Sequence, residues 1–273
     1  MGLFSKNKAP EAPAPVKQVE EVKEVVIRDE IIENEEEYIF DKTFECPLCG
    51  KSFKMKKMRI NKDRVISQDT DLRNVYSKVD HYKYGALVCA RCGYAALDDM
   101  FKPLAKSRKD MVVNGISVSF EGLDLPNGPY SYDDAIRIHE HINKCNDVRE
   151  AKASEKAFSY LRMAWLLRGK NECTESPKAK AGLQAKEDEY ISKAQEAFVE
   201  AIGNETFPMC GLDEQTVNYI LADLSRKLHK FNDAFQLISR IVVSNAAPSR
   251  LKDKARDLRD IMEEDKKRLE IEE

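Results

Sequence analysis

The chain has 273 residues and a mass of 31.2 kDa, with 42% hydrophobic and 34% charged residues. That length suits one large domain or two ordinary ones, and the composition excludes a chain disordered throughout. The 45 basic and 48 acidic residues leave a net charge of -3, so bulk charge demands neither nucleic acid nor an anionic membrane as partner.

The N-terminus, MGLFSKNKAPEAPAP, places Lys6, Lys8, Pro10, Pro13 and Pro15 where a secretory signal needs an apolar run. Lys6 also stands where a myristoylation motif beginning at Gly2 needs Ser or Thr. No run approaches the ~18 apolar residues of a membrane span. The seven cysteines are odd in number in a chain too large to need disulfide staples, and four form two Cys-x-x-Cys-Gly units. A cytoplasmic protein with bound metal and no membrane partner is therefore expected. Residues 1–37, with 5 basic and 10 acidic residues, read as a disordered acidic tail. Within it Val22, Val25, Val26 and Ile32 fall roughly on one helical face, which suits a solvated helix or a partner-binding segment.

Residues 38–125 carry 16 basic and 11 acidic residues and hold both cysteine units, Phe44-Glu45-Cys46-Pro47-Leu48-Cys49-Gly50 and Leu87-Val88-Cys89-Ala90-Arg91-Cys92-Gly93. Two intervening residues let both thiolates of a unit reach one ion from a tight turn, and the glycine suits a positive φ there. Phe44 and Leu87-Val88 fit short strands leading into the turns. Four thiolates around one ion form the usual structural zinc set, with no open position for activated water, so Cys46, Cys49, Cys89 and Cys92 are expected to hold one structural Zn2+. Iron takes the same ligands. A thiol redox pair at Cys46 and Cys49 would need a surrounding βαβ unit, which the sequence does not offer.

The first basic segment after the quartet's opening pair, residues 51–64, reads KSFKMKKMRINKDR. A strand or short helix with one solvated basic face explains it. Phosphate or nucleic-acid contact by Lys51, Lys54, Lys56, Lys57, Arg59, Lys62 and Arg64 is the sharper alternative, although Phe53 is the one aromatic available for stacking. Asp69 and Asp71 read as caps of a helix starting near Leu72 or as partners of nearby arginines; a catalytic site using Asp69, Asp71 and His81 is a further alternative. His81 is expected to be a packing or surface residue. Tyr94, Leu97, Phe101 and Leu104 recur at helical steps and predict a helix beside the metal turns. Val112 to Val118 contains Asn114-Gly115 and predicts a short hairpin. Pro126, Gly128 and Pro129 mark a boundary.

Residues 126–273 are expected to be helical throughout. Residues 215–248 fit one 34-residue tetratricopeptide repeat, with Leu221, Ala222, Phe231, Ala234, Ile238 and Ile241 at its small and apolar positions and His229 at the turn. Residues 157–203 repeat the arrangement through Ala164, Ala194 and Phe198, with an insertion whose loop is expected within 169–183. Tyr132 to Ile142 and Arg250 to Leu269 would be leading and closing helices, and Trp165 a core residue. Cys145, Cys173 and Cys210 lack metal spacing, and His139 and His141 diverge on their helix.

FECPLCGKSF, Arg64, Asp69, Asp71, Tyr82, Tyr84, VCARCGYAA and LRMAWLLR together resemble the bacterial DUF2225 family, over about residues 40–245. The resemblance implies a zinc-ribbon-like front followed by tetratricopeptide-like helices, and no activity. The reading is thus an α+β protein in three parts: tail 1–37, zinc-ribbon-like module 38–125 and helical domain 126–273. The expected function is that of a non-enzymatic adaptor holding a protein or peptide on its repeats, with nucleic-acid association and an enzyme near Asp69/Asp71 as alternatives.

Overall fold

The computed structural model describes residues 32–272, so the first thirty-one residues of the expected tail lie outside the described residues. A 3-10 turn, Ile32–Tyr38, enters strand β1 (Ile39–Glu45), which pairs antiparallel with β2 (Ser52–Met58) in a register that sets Phe44 opposite Phe53. The turn is anchored through Glu35, buried between Lys83 Nζ at 2.6 Å and the Tyr84 hydroxyl at 2.5 Å. Strand β2 alternates as its sequence dictates: Phe53 and Met55 point into the core, and Ser52 and Lys54 point outward.

Strands β3 (Val65–Gln68) and β4 (Asn74–Tyr76) form a second hairpin, and β5 (Ala86–Val88) and β6 (Ala95–Leu97) a third. The three hairpins share no backbone ladder. Side chains join the first to the third: Phe53 meets Phe101 at 5.7 Å between ring centroids, and Phe101 stacks on Tyr94 at 5.0 Å. Every residue of β5 and β6 is buried, so these strands read as unbroken apolar runs without alternation. That is why the spacing of Tyr94, Leu97, Phe101 and Leu104 suggested a helix where the chain forms β6 followed by a 3-10 turn, Asp98–Met100.

The expected hairpin over Val112–Val118 is also absent. Helix α1 (Lys106–Gly115) runs through Asn114-Gly115 and ends in a 3-10 turn, Ser117–Ser119. Val112 and Ile116, four residues apart, are both buried, and a Cβ at Gly115 would lie 2.7 Å from Val148. Packing on the next helix therefore overrides the local β and turn preferences of these residues.

Helix α2 (Tyr132–Val148) starts at a reciprocal Ser131/Asp134 capping box and packs on β5 and β6, so Ile138, Ile142 and Cys145 belong to the same apolar core as the metal turns. Helices α3 (Ala153–Glu172) and α4 (Pro177–Asn204) form a long antiparallel hairpin, α5 (Glu214–Lys227) and α6 (Phe231–Val243) a shorter one, and α7 (Ser249–Glu272) closes the stack. The loop expected within 169–183 is present but short, Cys173–Ser176, and the rest of that segment lengthens α3 and α4. Ser176 caps α4 with Pro177 at its first position, and the Ala/Lys/Gln/Glu run that follows favours helix.

Two cores run through the helices. One joins Leu161, Ala164 and Trp165 of α3 with Ala194 and Phe198 of α4 and Val217, Ile220 and Leu224 of α5. The other joins Tyr219 and Ala222 with Ala234, Ile238 and Ile241 of α6 and Ala255, Leu258 and Met262 of α7. Trp165 is buried, as expected, and its ring lies 4.9 Å from that of Tyr82. His229 takes φ +58° after the C-terminus of α5, the left-handed conformation that a glycine would adopt more readily.

Candidate metal centre

Each metal turn is the tip of a hairpin: residues 46–51 join β1 to β2, and residues 89–94 join β5 to β6. The two tips repeat one backbone geometry. Gly50 N donates to Cys46 O at 2.8 Å and Cys46 N to Lys51 O at 3.0 Å; Gly93 N donates to Cys89 O and Cys89 N to Tyr94 O, both at 2.9 Å. Gly50 and Gly93 have φ +69° and +72°, the left-handed region that the sequence pattern required of them.

The two tips, 39 residues apart in the chain, face each other. Cys46 Sγ lies 3.6 Å from Cys92 Sγ, Cys49 Sγ lies 3.8 Å from Cys89 Sγ, and all four sulfurs fall within 4.8 Å of one another. Sulfurs placed tetrahedrally ~2.3 Å from an ion stand about 3.8 Å apart, so the set can hold one metal ion at its centre. Cys46, Cys89 and Cys92 are buried and Cys49 is partly exposed. The thiols polarise one another: the hydrogen bond from Cys92 draws Cys46 down, whereas that same bond and burial push Cys92 up. A cation is the natural counter-charge for such a buried thiolate.

The second tip is clamped from outside by residues the spacing did not reveal. His141 Nε2 donates to Gly93 O at 2.6 Å, the Cys145 thiol points at the same oxygen from 3.5 Å, and Ser117 Oγ donates to Cys92 O at 2.7 Å. His139, on the same helix, turns away and donates from Nδ1 to Ala135 O at 2.9 Å. Cys173 is exposed and Cys210 partly exposed, apart from the cluster.

Of the seven basic residues of the 51–64 segment, Lys51, Lys54, Arg59, Lys62 and Arg64 are exposed. Lys56 pairs with Asp41 at 2.9 Å, and Lys57 pairs with Asp98 and donates to Tyr84 O at 2.7 Å. Burial lowers Lys57 to about 8.

No helix begins at Leu72, so Asp69 and Asp71 cap nothing; they sit in the β3–β4 turn, where Leu72 takes φ +67°. The alternative of arginine pairing is realised, and over a longer range than the sequence suggested. Asp69 meets Arg73 at 2.8 Å. Asp71, fully buried, receives both terminal nitrogens of Arg168 at 3.1 and 2.6 Å and Lys227 Nζ at 2.6 Å. Burial works to raise the Asp71 carboxyl, but Lys227 and Arg168 outweigh it and hold it well below the usual carboxylate range. His81 has other partners: it stacks on Tyr76 at 3.5 Å and lies 3.3 Å from Asp63. The three residues proposed for catalysis therefore converge on no common point. Arg168 and Lys227 were missed because each is one cation among many on a helix surface.

Among the described residues, no helix is long and apolar enough to cross a membrane. No solved structure matches the chain. A protein of Borreliella burgdorferi described as "Uncharacterized protein" is 26% identical over 149 residues, which cover 47% of this chain and 52% of the relative. The chain thus spans about half the length of the curated relative it matches. The family described as "Uncharacterized protein conserved in bacteria (DUF2225)" matches residues 39–262, through both cysteine turns and all but the last turns of the helical half, and the chain belongs to that family.

Proposed function

We propose that the protein is a non-enzymatic adaptor in which a zinc-ribbon-like front, tied by one structural Zn2+ on Cys46, Cys49, Cys89 and Cys92, carries a tetratricopeptide-like helical half that binds a protein partner. The observation that carries this reading is the closed set of thiols. Four sulfurs around one ion leave no position for water or substrate, so the ion holds structure together. It ties two hairpins that share no backbone ladder. In small metal-dependent modules such binding is worth about 10–16 kcal/mol, most of it folding free energy. The helical half supports the rest of the reading. Ala164, Ala194, Ala222 and Ala234 are fully buried where helices cross. Val199, Phe235 and Val243 leave apolar surface on the helices open to a partner.

The exposed Lys51, Lys54, Arg59, Lys62 and Arg64 support a second reading, nucleic-acid association through backbone charge. Elemental analysis combined with cross-linking mass spectrometry of the tagged full chain separates the two. One zinc per chain and partner cross-links on α3–α7 that survive nuclease and about 0.3 M salt support the adaptor. Nucleic acid released by salt and cross-linked to residues 51–64 supports the second reading. X-ray absorption showing fewer than four sulfur ligands would sink the structural role of the ion.

A further inference from the structure

The β3–β4 turn sits on the helical half as a bound peptide would. Its polar contacts come from the first helix of each pair, α3 and α5. On α3, Arg168 grips Asp71 and reaches Asp69 Oδ2 at 2.8 Å, while Glu172 pairs with Arg73. On α5, Lys227 holds Asp71, and Asp223 accepts the Thr70 hydroxyl at 2.9 Å. Arg226 links Asp223 to Asp265 of α7. Glu187 of α4 orients Arg168 through its Nε at 2.7 Å. Leu72 packs against both helical cores, at the seam between them. The five residues Asp69-Thr70-Asp71-Leu72-Arg73 thus present two carboxylates, a hydroxyl, an apolar side chain and a cation, and each meets a complementary group.

Beyond these contacts Arg73 Nη1 donates to Trp165 O at 3.3 Å, Asn74 N donates to the Tyr82 hydroxyl at 2.8 Å and Tyr76 stacks on His81. Strand β3 is exposed at all four positions and pairs with β4 alone. An open cleft of about 450 Å³ is lined by Arg168, Asn171, Glu172, Lys180, Ala181 and Gln184. Replacing such a buried ion pair by apolar residues is often neutral for stability, and its best-attested use is to fix register.

We infer that this surface of α3 and α5 is a recognition site for an acidic partner segment of the form Asp-x-Asp-apolar-basic, occupied in cis by the chain's own hairpin. The inference rests on the adaptor reading and names the chemistry of its partner. A segment in trans competes with a tethered ligand, whose effective concentration is of the order of millimolar, so the hairpin sets the threshold for binding.

The test uses the full metal-loaded chain and a fluorescent peptide copying residues 66–74, with a control peptide carrying Asn at both Asp positions. The Asp69→Asn/Asp71→Asn chain should bind the acidic peptide at least ~tenfold more tightly than the unsubstituted chain, and neither chain should bind the control. Should that variant fail to fold, hydrogen exchange on the unsubstituted chain decides: excess acidic peptide should speed exchange over residues 69–76, and the control should not. Equal binding of both peptides, or no binding together with unchanged exchange, overturns the inference. So does a dimer formed by exchanged hairpins that ignores the peptide. Partner cross-links on α3–α7 without peptide binding would end this inference alone, whereas nuclease-sensitive cross-links at residues 51–64 would end the adaptor reading.

Discussion

Replacing Gly50 and Gly93 one at a time with alanine separates backbone strain from crowding at the metal centre. Both glycines have the same left-handed φ, so an L-residue at either costs about 1–2 kcal/mol. Around Gly50 a Cβ would meet nothing within 4 Å, and that strain is the whole expected loss. At Gly93 a Cβ would lie 2.5 Å from Phe120 Cγ and 2.6 Å from Cδ2. The Phe120 ring packs 5.2 Å from His141, the residue that clamps Gly93 O, so it can yield only by leaving that contact. Overpacking of this kind adds about 1–3 kcal/mol, for a total of about 2–5 kcal/mol. Denaturant midpoints of the metal-loaded proteins measure the difference, and the rate of metal transfer to a chromogenic chelator should rise more for Gly93→Ala. Adding Phe120→Ala to Gly93→Ala should recover part of the excess. Losses that agree within about 0.5 kcal/mol, with no recovery, would refute the argument that Phe120 crowds the second turn.

Three further outcomes are expected. Cys49→Ser should lower the metal content measured by elemental analysis and speed hydrogen exchange across β1, β2, β5 and β6, while the α5–α7 cores keep their protection. Asp71 contributes stability fully above its unfolded value of about 3.9 and loses it as pH falls through and below that value, so acid unfolding followed by circular dichroism should be steeper below pH ~4 for the unsubstituted chain than for Asp71→Asn. The substitution itself should cost at most about 3–5 kcal/mol at neutral pH, less whatever hydration the freed Arg168 and Lys227 recover. Burial pulls His139 down to about 4, below its unfolded value of about 6.5. Its stability contribution is complete above that unfolded value and drops by roughly 3 kcal/mol as pH falls toward 4; His139→Gln should flatten that part of the profile.

The metal turns were legible because a Cys-x-x-Cys-Gly turn is a local object: two cysteines, one left-handed glycine and a short strand on each side specify it within a few residues. The alanines of the helical half were legible for a similar reason, since Ala222, Ala234 and Ala164 keep helical spacing with their apolar neighbours. Local signals misled where packing outweighed them. Asn114-Gly115 resembles a hairpin turn, but Val112 and Ile116 find apolar partners only from a helix. The segment after Cys92 carries helical spacing, yet both its strand neighbours are fully buried and a doubly covered strand shows no alternation. The loop expected within 169–183 is confined to four residues, because Pro177 starts a helix and Gly169 lets Tyr132 and Asp80 approach within 2.7 and 2.8 Å of where a Cβ would stand.

The sequence by itself determined which side chains could hold a metal, where helices with small crossing residues lie, and that residues 51–64 form a basic, partly apolar segment. Only the tertiary structure decided that the two cysteine turns meet, that α2 clamps the second of them, and that Asp69-Thr70-Asp71-Leu72-Arg73 docks on helices up to 156 residues further along the chain. The physical reason is range. Turn geometry and helical periodicity are set by neighbours a few residues apart, whereas a carboxylate reads as a cap, a ligand or a solvated charge until the fold brings it a partner cation and removes the water around both.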